Sequence, residues 1–385
     1  MPWKESRLMD ERVRFIRRLM EGERMTDLCE EFGISRKTAY KFRSRFLAHG
    51  IRGLFDQSRR PNQHPHHTPK EIEKVILALR KSKPSWGPKK LKTKLEGIHP
   101  GLKIPSPSTI GEILRRYQIP LRKRRLRKYV PWNNPLKESQ EPNDIWCVDF
   151  KGQFRLGNGK YCYPLTVSDH YSRYFLGCDA LEDTKGIGVM STFENIFKQY
   201  GLPRVIRSDN GPPFASRGLN GWSYVAVWWM RLGIDLERIE PGHPEQNGRH
   251  ERLHCTLKYE TTRPAKANLF QQQERFDEFR EEYNQERPHE ALEMKTPASV
   301  YQRSGKIYPE ELPELNYPNH DDVCVVHPTG MVYLGKRRKF YLSNALSGEK
   351  VGIREIKPKC WLVSFLGHDL GYFNEKTKTF SQDLT

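Results

Sequence analysis

The spacing of apolar residues changes character near Pro131, and that change constrains the fold of this chain more than any other feature. Upstream, apolar side chains recur every three or four residues, the helical period; downstream they gather in short runs rich in Val, Ile, Tyr and Phe, separated by Gly or polar turns. A chain of 385 residues with two such regions reads as several domains. The longest clean apolar run, Tyr224 to Met230, is far short of the roughly 20 residues that cross a bilayer, and the opening Met-Pro-Trp-Lys-Glu-Ser-Arg has no apolar signal core. A soluble, cytoplasmic protein with no membrane partner is expected.

Charge divides at the same place. Residues 1–130 hold 33 basic and 13 acidic side chains, whereas the rest of the chain is balanced at 33 and 34, so the net charge of +19 is N-terminal. Such a segment attracts a polyanion by releasing its counterions, and double-stranded DNA is the expected partner. Cys29, Cys147, Cys162, Cys178, Cys255, Cys324 and Cys360 are odd in number and contain no C-x-x-C pair, which argues against a disulfide scaffold or a cysteine zinc site. His64, His66 and His67 lie in a Pro-rich linker without a thiol and read as linker, not metal ligands.

In the N-terminal third, Val13, Ile16, Leu19 and Met20 mark one amphipathic helix, and a second runs from Thr26 through Phe32 to the turn at Gly33. Ser35 caps a third. Its Ala39, Phe42 and Phe46 can face inward, leaving Arg36, Lys37, Thr38, Lys41 and Arg45 for DNA. The pattern resembles a helix-turn-helix unit over residues 1–60. A looser repeat over 68–130 contains Glu71–Lys81, Gly87–Leu95 and a helix capped by Ser106, then a basic arm whose Arg122, Lys123, Arg124 and Arg125 suit phosphates.

Past Pro131 come strands at Ile145–Phe150, Tyr161–Val167 and Tyr174–Cys178, a helix ending at Gly201, and a strand Arg204–Arg207 leading to Ser208-Asp209-Asn-Gly211. This order resembles the opening of an RNase H-like α/β core. Asp149 stands inside an otherwise apolar strand, where a lone charge is costly unless a cation or donor meets it. Asp209 ends the next sheet strand, where open α/β folds build their sites. A third acid comes from Pro241–Lys258: Pro244 and the Asn247-Gly248 pair put Glu245 in a turn, whereas Asn247 can cap a helix whose first turns hold Glu251, with Cys255 and Lys258 on the same face. Trp146, Trp228 and Trp229 read as core aromatics, and His243, His250 and His254 as bystanders.

Together, Trp146-Cys-Val-Asp149, Ser208-Asp209-Asn-Gly211, Pro244-x-x-Asn-Gly-x-x-Glu251 and Tyr283-Asn-Gln-Glu-Arg-Pro-His289, leading to Leu292 and Thr296-Pro297, resemble the DDE transposases of bacterial insertion sequences, which have a retroviral-integrase-type catalytic core. The match covers roughly residues 140–304, within a core expected over 136–304. Two features depart from integrases: 41 residues separate Asp209 from Glu251, and helix-turn-helix units stand where a zinc module would be. The resemblance implies a metal-dependent transposase that cleaves transposon ends and transfers the 3′-hydroxyl into target DNA. Asp149, Asp209 and Glu251 would be its catalytic residues and the ligands of two Mg²⁺ ions, with Mn²⁺ a substitute, and Lys258 would contact the DNA end. It also implies a homodimer or higher oligomer on DNA, in a nucleoid-associated location. An inactive helix-turn-helix regulator, or an RNase H-like endonuclease that does not join, are the rival readings.

From Asp322 onward the runs Val323–Val326, Met331–Leu334, Lys339–Leu342, Val351–Arg354 and Trp361–Phe365 predict a small β-barrel over 318–378, with Lys336 to Lys339 at a turn. The expected architecture is multidomain: N-terminal all-α helix-turn-helix units, a central α/β RNase H-like core and a C-terminal small β-barrel.

Overall fold

The computed structural model describes residues 8–57, 68–120, 136, 138–240, 243–335 and 338–383, and the chain divides into two compact units, 1–68 and 69–385. The linker histidines, the arm containing Arg122, Lys123, Arg124 and Arg125, and Lys336 and Arg337 lie outside the described residues. Among the described residues no helix is long and apolar enough to cross a membrane.

The first unit is three helices, α1 (Leu8–Met20), α2 (Met25–Glu31) and α3 (Arg36–His49), closed by a 3-10 turn over Gly50–Leu54. Asp10 and Glu11 open α1 while Arg17 and Arg18 close it, matching the helix dipole. Ser35 caps α3, accepting from the Thr38 N–H at 3.2 Å, as the sequence predicts. Phe15, Ile16, Leu28, Cys29, Ala39 and Leu54 form the core, and the Gly33 turn has φ 62°, a left-handed value that suits glycine.

The second unit begins with α4 (Lys70–Ser82), α5 (Pro88–Ile98) and α6 (Pro107–Arg116), packed around the buried Trp86. The core sheet follows. Its strands are β1 (Ile145–Phe150), β2 (Phe154–Arg155), β3 (Tyr161–Asp169), β4 (Phe175–Leu181), β5 (Val205–Ser208) and β6 (Asp235–Arg238). The order β4-β3-β1-β5-β6 is antiparallel through β1 and parallel beyond it, with β2 paired to the start of β3. That is the α/β arrangement the sequence predicts.

The two faces of the sheet differ. On one, Trp146, Val148, Leu165, Val167 and Leu176 pack against α7 (Gly186–Tyr200) and α8 (Tyr224–Arg231), so Trp146, Trp228 and Trp229 are core residues. On the other, Cys162, Phe175 and Cys178 meet α9 (Gly248–Thr261) and α10 (Leu269–Glu281). β4 is an edge strand, and an unpaired backbone edge needs covering. Side chains supply the cover. Asn284, in a π-helical segment over Glu282–Glu286, accepts from the Phe175 N–H at 2.8 Å and donates to the Phe175 carbonyl at 2.9 Å. Gln273 of α10 accepts from the Ala180 N–H at 2.8 Å and donates to the Cys178 carbonyl at 2.9 Å.

The C-terminal strands exist, but the barrel expected over 318–378 is not closed by strand pairing among the described residues. Strands β7 (Asp322–Val325), β10 (Lys350–Lys357), β11 (Cys360–Phe365), β12 (His368–Asn374) and β13 (Thr379–Ser381) make an open five-stranded sheet, while β8 (Met331–Leu334) and β9 (Arg338–Tyr341) form a separate hairpin. The hairpin contributes Val332, Leu334 and Phe340 to a core shared with the sheet, so packing rather than closure buries it. Trp222 and Val227 belong to this same cluster.

Asn284→Ala would leave a buried N–H and a buried carbonyl of Phe175 without partners. A loss of roughly 2–4 kcal/mol is expected in denaturant unfolding, and an unchanged midpoint would show that the amide does not secure the edge.

Candidate active site

The Asp149 carboxylate belongs to the α9 face, because the side chain before it, Val148, is packed on the other side and strand residues alternate. Asp209 follows the last residue of β5, the parallel neighbour of β1, and its Oδ1 accepts from the Gly211 N–H at 3.2 Å. Glu251 lies in the first turn of α9. Burial pushes the Asp149 carboxyl up to about 7, the Asp209 charge adds to that and Glu251 adds less, while the Phe150 N–H and Lys151 oppose it. Ionisation of Asp149 is therefore coupled to both other acids. Among the described residues, however, no three His, Cys, Asp or Glu side chains converge on a common point at ligand distance. Mutually repelling carboxylates favour such separation.

Asn247 stands at the N-cap position of α9, but its side chain makes no capping bond and its Oδ1 is buried without a partner. A 3-10 turn over Pro244–Asn247, which contains Glu245, runs directly into the helix and replaces the expected cap.

The histidines of α9 are structural. Thr166 lies opposite Asp149 in the β1–β3 register. Its hydroxyl donates to the Asp149 carbonyl at 2.8 Å, and lies 2.8 Å from His250 Nε2 and 2.7 Å from His254 Nε2. A hydroxyl has one proton and two lone pairs, so both imidazoles must donate from Nε2. His250 Nδ1 then accepts from the Ser168 hydroxyl at 2.7 Å, and His254 Nδ1 faces the Asp149 carboxylate 3.8 Å away. Burial holds both rings neutral, lowering His250 to about 3 and His254 to about 2, the latter also opposed by His250 and Lys151. The network ties the helix carrying Glu251 to the strand carrying Asp149. The signal in the sequence was the alternation Leu165-Thr-Val-Ser168, polar every second residue inside an apolar strand, together with two histidines four apart on one helix.

Lys151, not singled out from the sequence, also stands here. Burial lowers its ammonium and nearby Lys258 lowers it further, which puts both amines beside the pocket. Lys258 itself is exposed on α9.

Comparison with known proteins gives the family. Residues 139–244 and 232–297 match models of the integrase core domain, residues 11–62 match a helix-turn-helix domain and residues 38–114 a homeodomain-like domain. A 31.7 kDa protein of insertion element IS407 from Burkholderia multivorans is 27% identical over 243 residues, covering 61% of this chain and 82% of the relative. One of 39.2 kDa from IS476 of Xanthomonas euvesicatoria is 31% identical over 191 residues, covering 49% and 53%. Over its integrase-like core the chain is similar to the DDE transposases of bacterial insertion sequences. Neither a catalytically inactive regulator nor a non-joining endonuclease is favoured by these matches. The integrase chain in the simian T-cell lymphotropic virus intasome aligns at 16% identity over 76% of this chain and 97% of its own, with a TM-score of 0.38.

On the first unit of the transposase, Arg36, Lys37 and Lys41 are exposed along α3, while Thr38 and Arg45 are half-buried. Thr38 is engaged by the Ser35 hydroxyl at 2.9 Å, and Lys41 lies over the Phe42 ring at 5.5 Å. The exposed cations among these residues are Arg36, Lys37 and Lys41.

Two measurements check the site. Thr166→Val would strand two buried imidazole N–H groups at roughly 1–3 kcal/mol each, whereas Thr166→Ser keeps the hydroxyl; equal unfolding midpoints for the two variants would rule out the network. Because the folded state binds the Asp149 proton more tightly than the unfolded chain, metal-free protein should lose stability as pH rises from about 4 to about 7. Asp149→Asn should remove that part of the slope, and an identical pH profile in the variant would contradict the shared pocket.

Proposed function

We propose that this transposase cleaves the ends of its element and joins the freed 3′-hydroxyl to target DNA at the pocket of Asp149, Asp209 and Glu251. The observation that supports this reading is electrostatic: ionisation of Asp149 is opposed by burial and by both other acids, the arrangement a divalent cation relieves. The donor set fits hard oxygen-seeking ions, Mg²⁺ first and Mn²⁺ as a substitute. When bound, two such ions supply an activated nucleophile and neutralise charge on the departing oxygen.

In this reading Asp149, Asp209 and Glu251 would together hold the ions, with Asp149 the acid coupled to both others. The Thr166 hydroxyl and the two neutral imidazoles keep β1 and α9 in register, so that the carboxylates approach from fixed directions. Lys258 and Lys151, beside the pocket, can hold phosphate oxygens of the DNA end. The exposed cations of α3, together with the arm at Arg122 to Arg125, would bring double-stranded DNA to the enzyme. A homodimer or higher oligomer would pair two element ends.

The test uses a labelled end duplex with Mg²⁺ and the substitutions Asp149→Asn, Asp209→Asn and Glu251→Gln. Each should leave duplex binding intact and reduce both cleavage and joining by roughly 10²–10³-fold or more, the effect of losing several kcal/mol of charge stabilisation. Retained activity in any one variant removes that residue from the site, and cleavage without joining by the unaltered chain would restrict the enzyme to hydrolysis.

A further inference from the structure

A second concentration of charge lies on the other flank of α9. At 100° per residue, Arg252 and Arg249 stand roughly 100° and 160° around the helix from Glu251. The start of α5 is tied to this helix and to the segment after α10. Lys89 pairs with Glu290, Lys83 pairs with Glu282 at 3.0 Å and Glu286 at 3.1 Å, and Arg287 pairs with Glu260 of α9 at 2.8 Å while reaching the Ser85 hydroxyl at 3.4 Å. His289 packs edge-on to Tyr283, with ring centroids 4.8 Å apart.

These pairs occupy the acids of the seam and leave cations over. Lys90, Arg173 and Arg252 take part in no side-chain ion pair among the described residues. Two buried nitrogens here have no hydrogen-bond partner, Arg173 Nε and His289 Nε2. An Arg Nε always carries a proton, so the first is a buried donor without an acceptor. The charges oppose one another as well. Burial and then Arg287 lower Lys90 to about 7, burial and then Arg249 lower Arg173 to about 10, and burial, Lys90 and Arg287 hold His289 neutral at about 3. A group of self-repelling cations, half-buried at Lys90 and Arg173 and exposed at Arg252, with one buried donor lacking an acceptor, is completed by an anion.

We propose that Lys90, Arg173 and Arg252 form a binding site for a phosphodiester of duplex DNA, separate from the carboxylate pocket. Guanidinium forks and an ammonium are the side chains that match tetrahedral phosphate oxygens. The choice of DNA over a free phosphate rests on the transposase reading and on position. The site shares helix α9 with Glu251 through Arg252, about 100° around a helix roughly 10–12 Å across, and a duplex carries a charge every roughly 1.7 Å of its axis. A duplex lying on the carboxylates therefore presents further phosphates at that reach, and the exposed Arg249 extends the same flank toward them.

The experiment is amine acetylation of the full chain near pH 7.5, with Lys90 followed by mass spectrometry alone, with saturating duplex DNA, and with inorganic phosphate at the same phosphate concentration. Duplex should slow acetylation of Lys90 by about fivefold or more, and inorganic phosphate should change it by less than about twofold. In salt titrations of duplex binding, Lys90→Gln and Arg252→Gln should each reduce the magnitude of the log–log slope by about 0.9, and Lys90→Arg should preserve it. Protection by inorganic phosphate alone would make this a small-anion site and overturn the assignment, as would no protection with DNA bound, or unchanged slopes in both Gln variants. The footprint is read on native protein, so a variant that fails to fold does not spoil it. It also reports binding and not cutting, so it can fail while the carboxylate substitutions still abolish cleavage, and hold where they do not.

Discussion

Strand β1 carries a carboxylate in the middle of a sheet, and the surroundings follow from how that charge is held. Asp149 pairs across the register with Thr166, whose single proton is given to the Asp149 carbonyl. That leaves two lone pairs, which receive both imidazoles of α9. One hydroxyl thus joins two strands to a helix, with its proton and both lone pairs used. Buried polar networks are stable only when complete, and completeness also makes them directional. This scaffold fixes α9, which carries Glu251, against the strands β1 and β3.

The two faces of the sheet divide the work. The face under α7 and α8 is mainly apolar, with Trp146, Phe193, Phe197 and Trp229 at its centre, and supplies the hydrophobic stabilisation. The face under α9 and α10 mixes Phe175, Phe276 and Phe279 with the Thr166 network and with amides that substitute for a missing strand. A side-chain amide offers the same donor and acceptor as a peptide group, which is why Asn284 and Gln273 can finish an edge without adding backbone. Gly201 serves the other end of the core: a side chain there would meet the Lys306 carbonyl at 2.7 Å, at φ 80°.

The segment Tyr283–His289 shows how one motif can hold several parts together. Asn284 secures β4, Arg287 joins α9 to the loop before α5, and Glu282 and Glu286 receive Lys83. Along the π-helical winding over Glu282–Glu286 neighbouring side chains face different elements. The second helical unit is consequently part of the same compact body as the core.

Much of this was legible without coordinates, and for definite reasons. The helices declared themselves by period and caps, the strands by β-rich runs, and Asp149 by being a charge where an apolar residue belonged; local chemistry alone determines such features. What depended on distant residues was not legible. Asn247 lacks its capping bond because the preceding 3-10 turn feeds the helix directly. The C-terminal strands were foreseen singly, but the closed barrel expected of them is not formed by strand pairing among the described residues, because pairing depends on long-range register and the β8–β9 hairpin buries itself by packing. His250 and His254 acquire their role only from Thr166, more than eighty positions away. Sequence determined which groups carry charge and which segments curl or extend; the tertiary structure decided which of those groups meet, since hydrogen bonds and charge repulsion act through space and not along the chain.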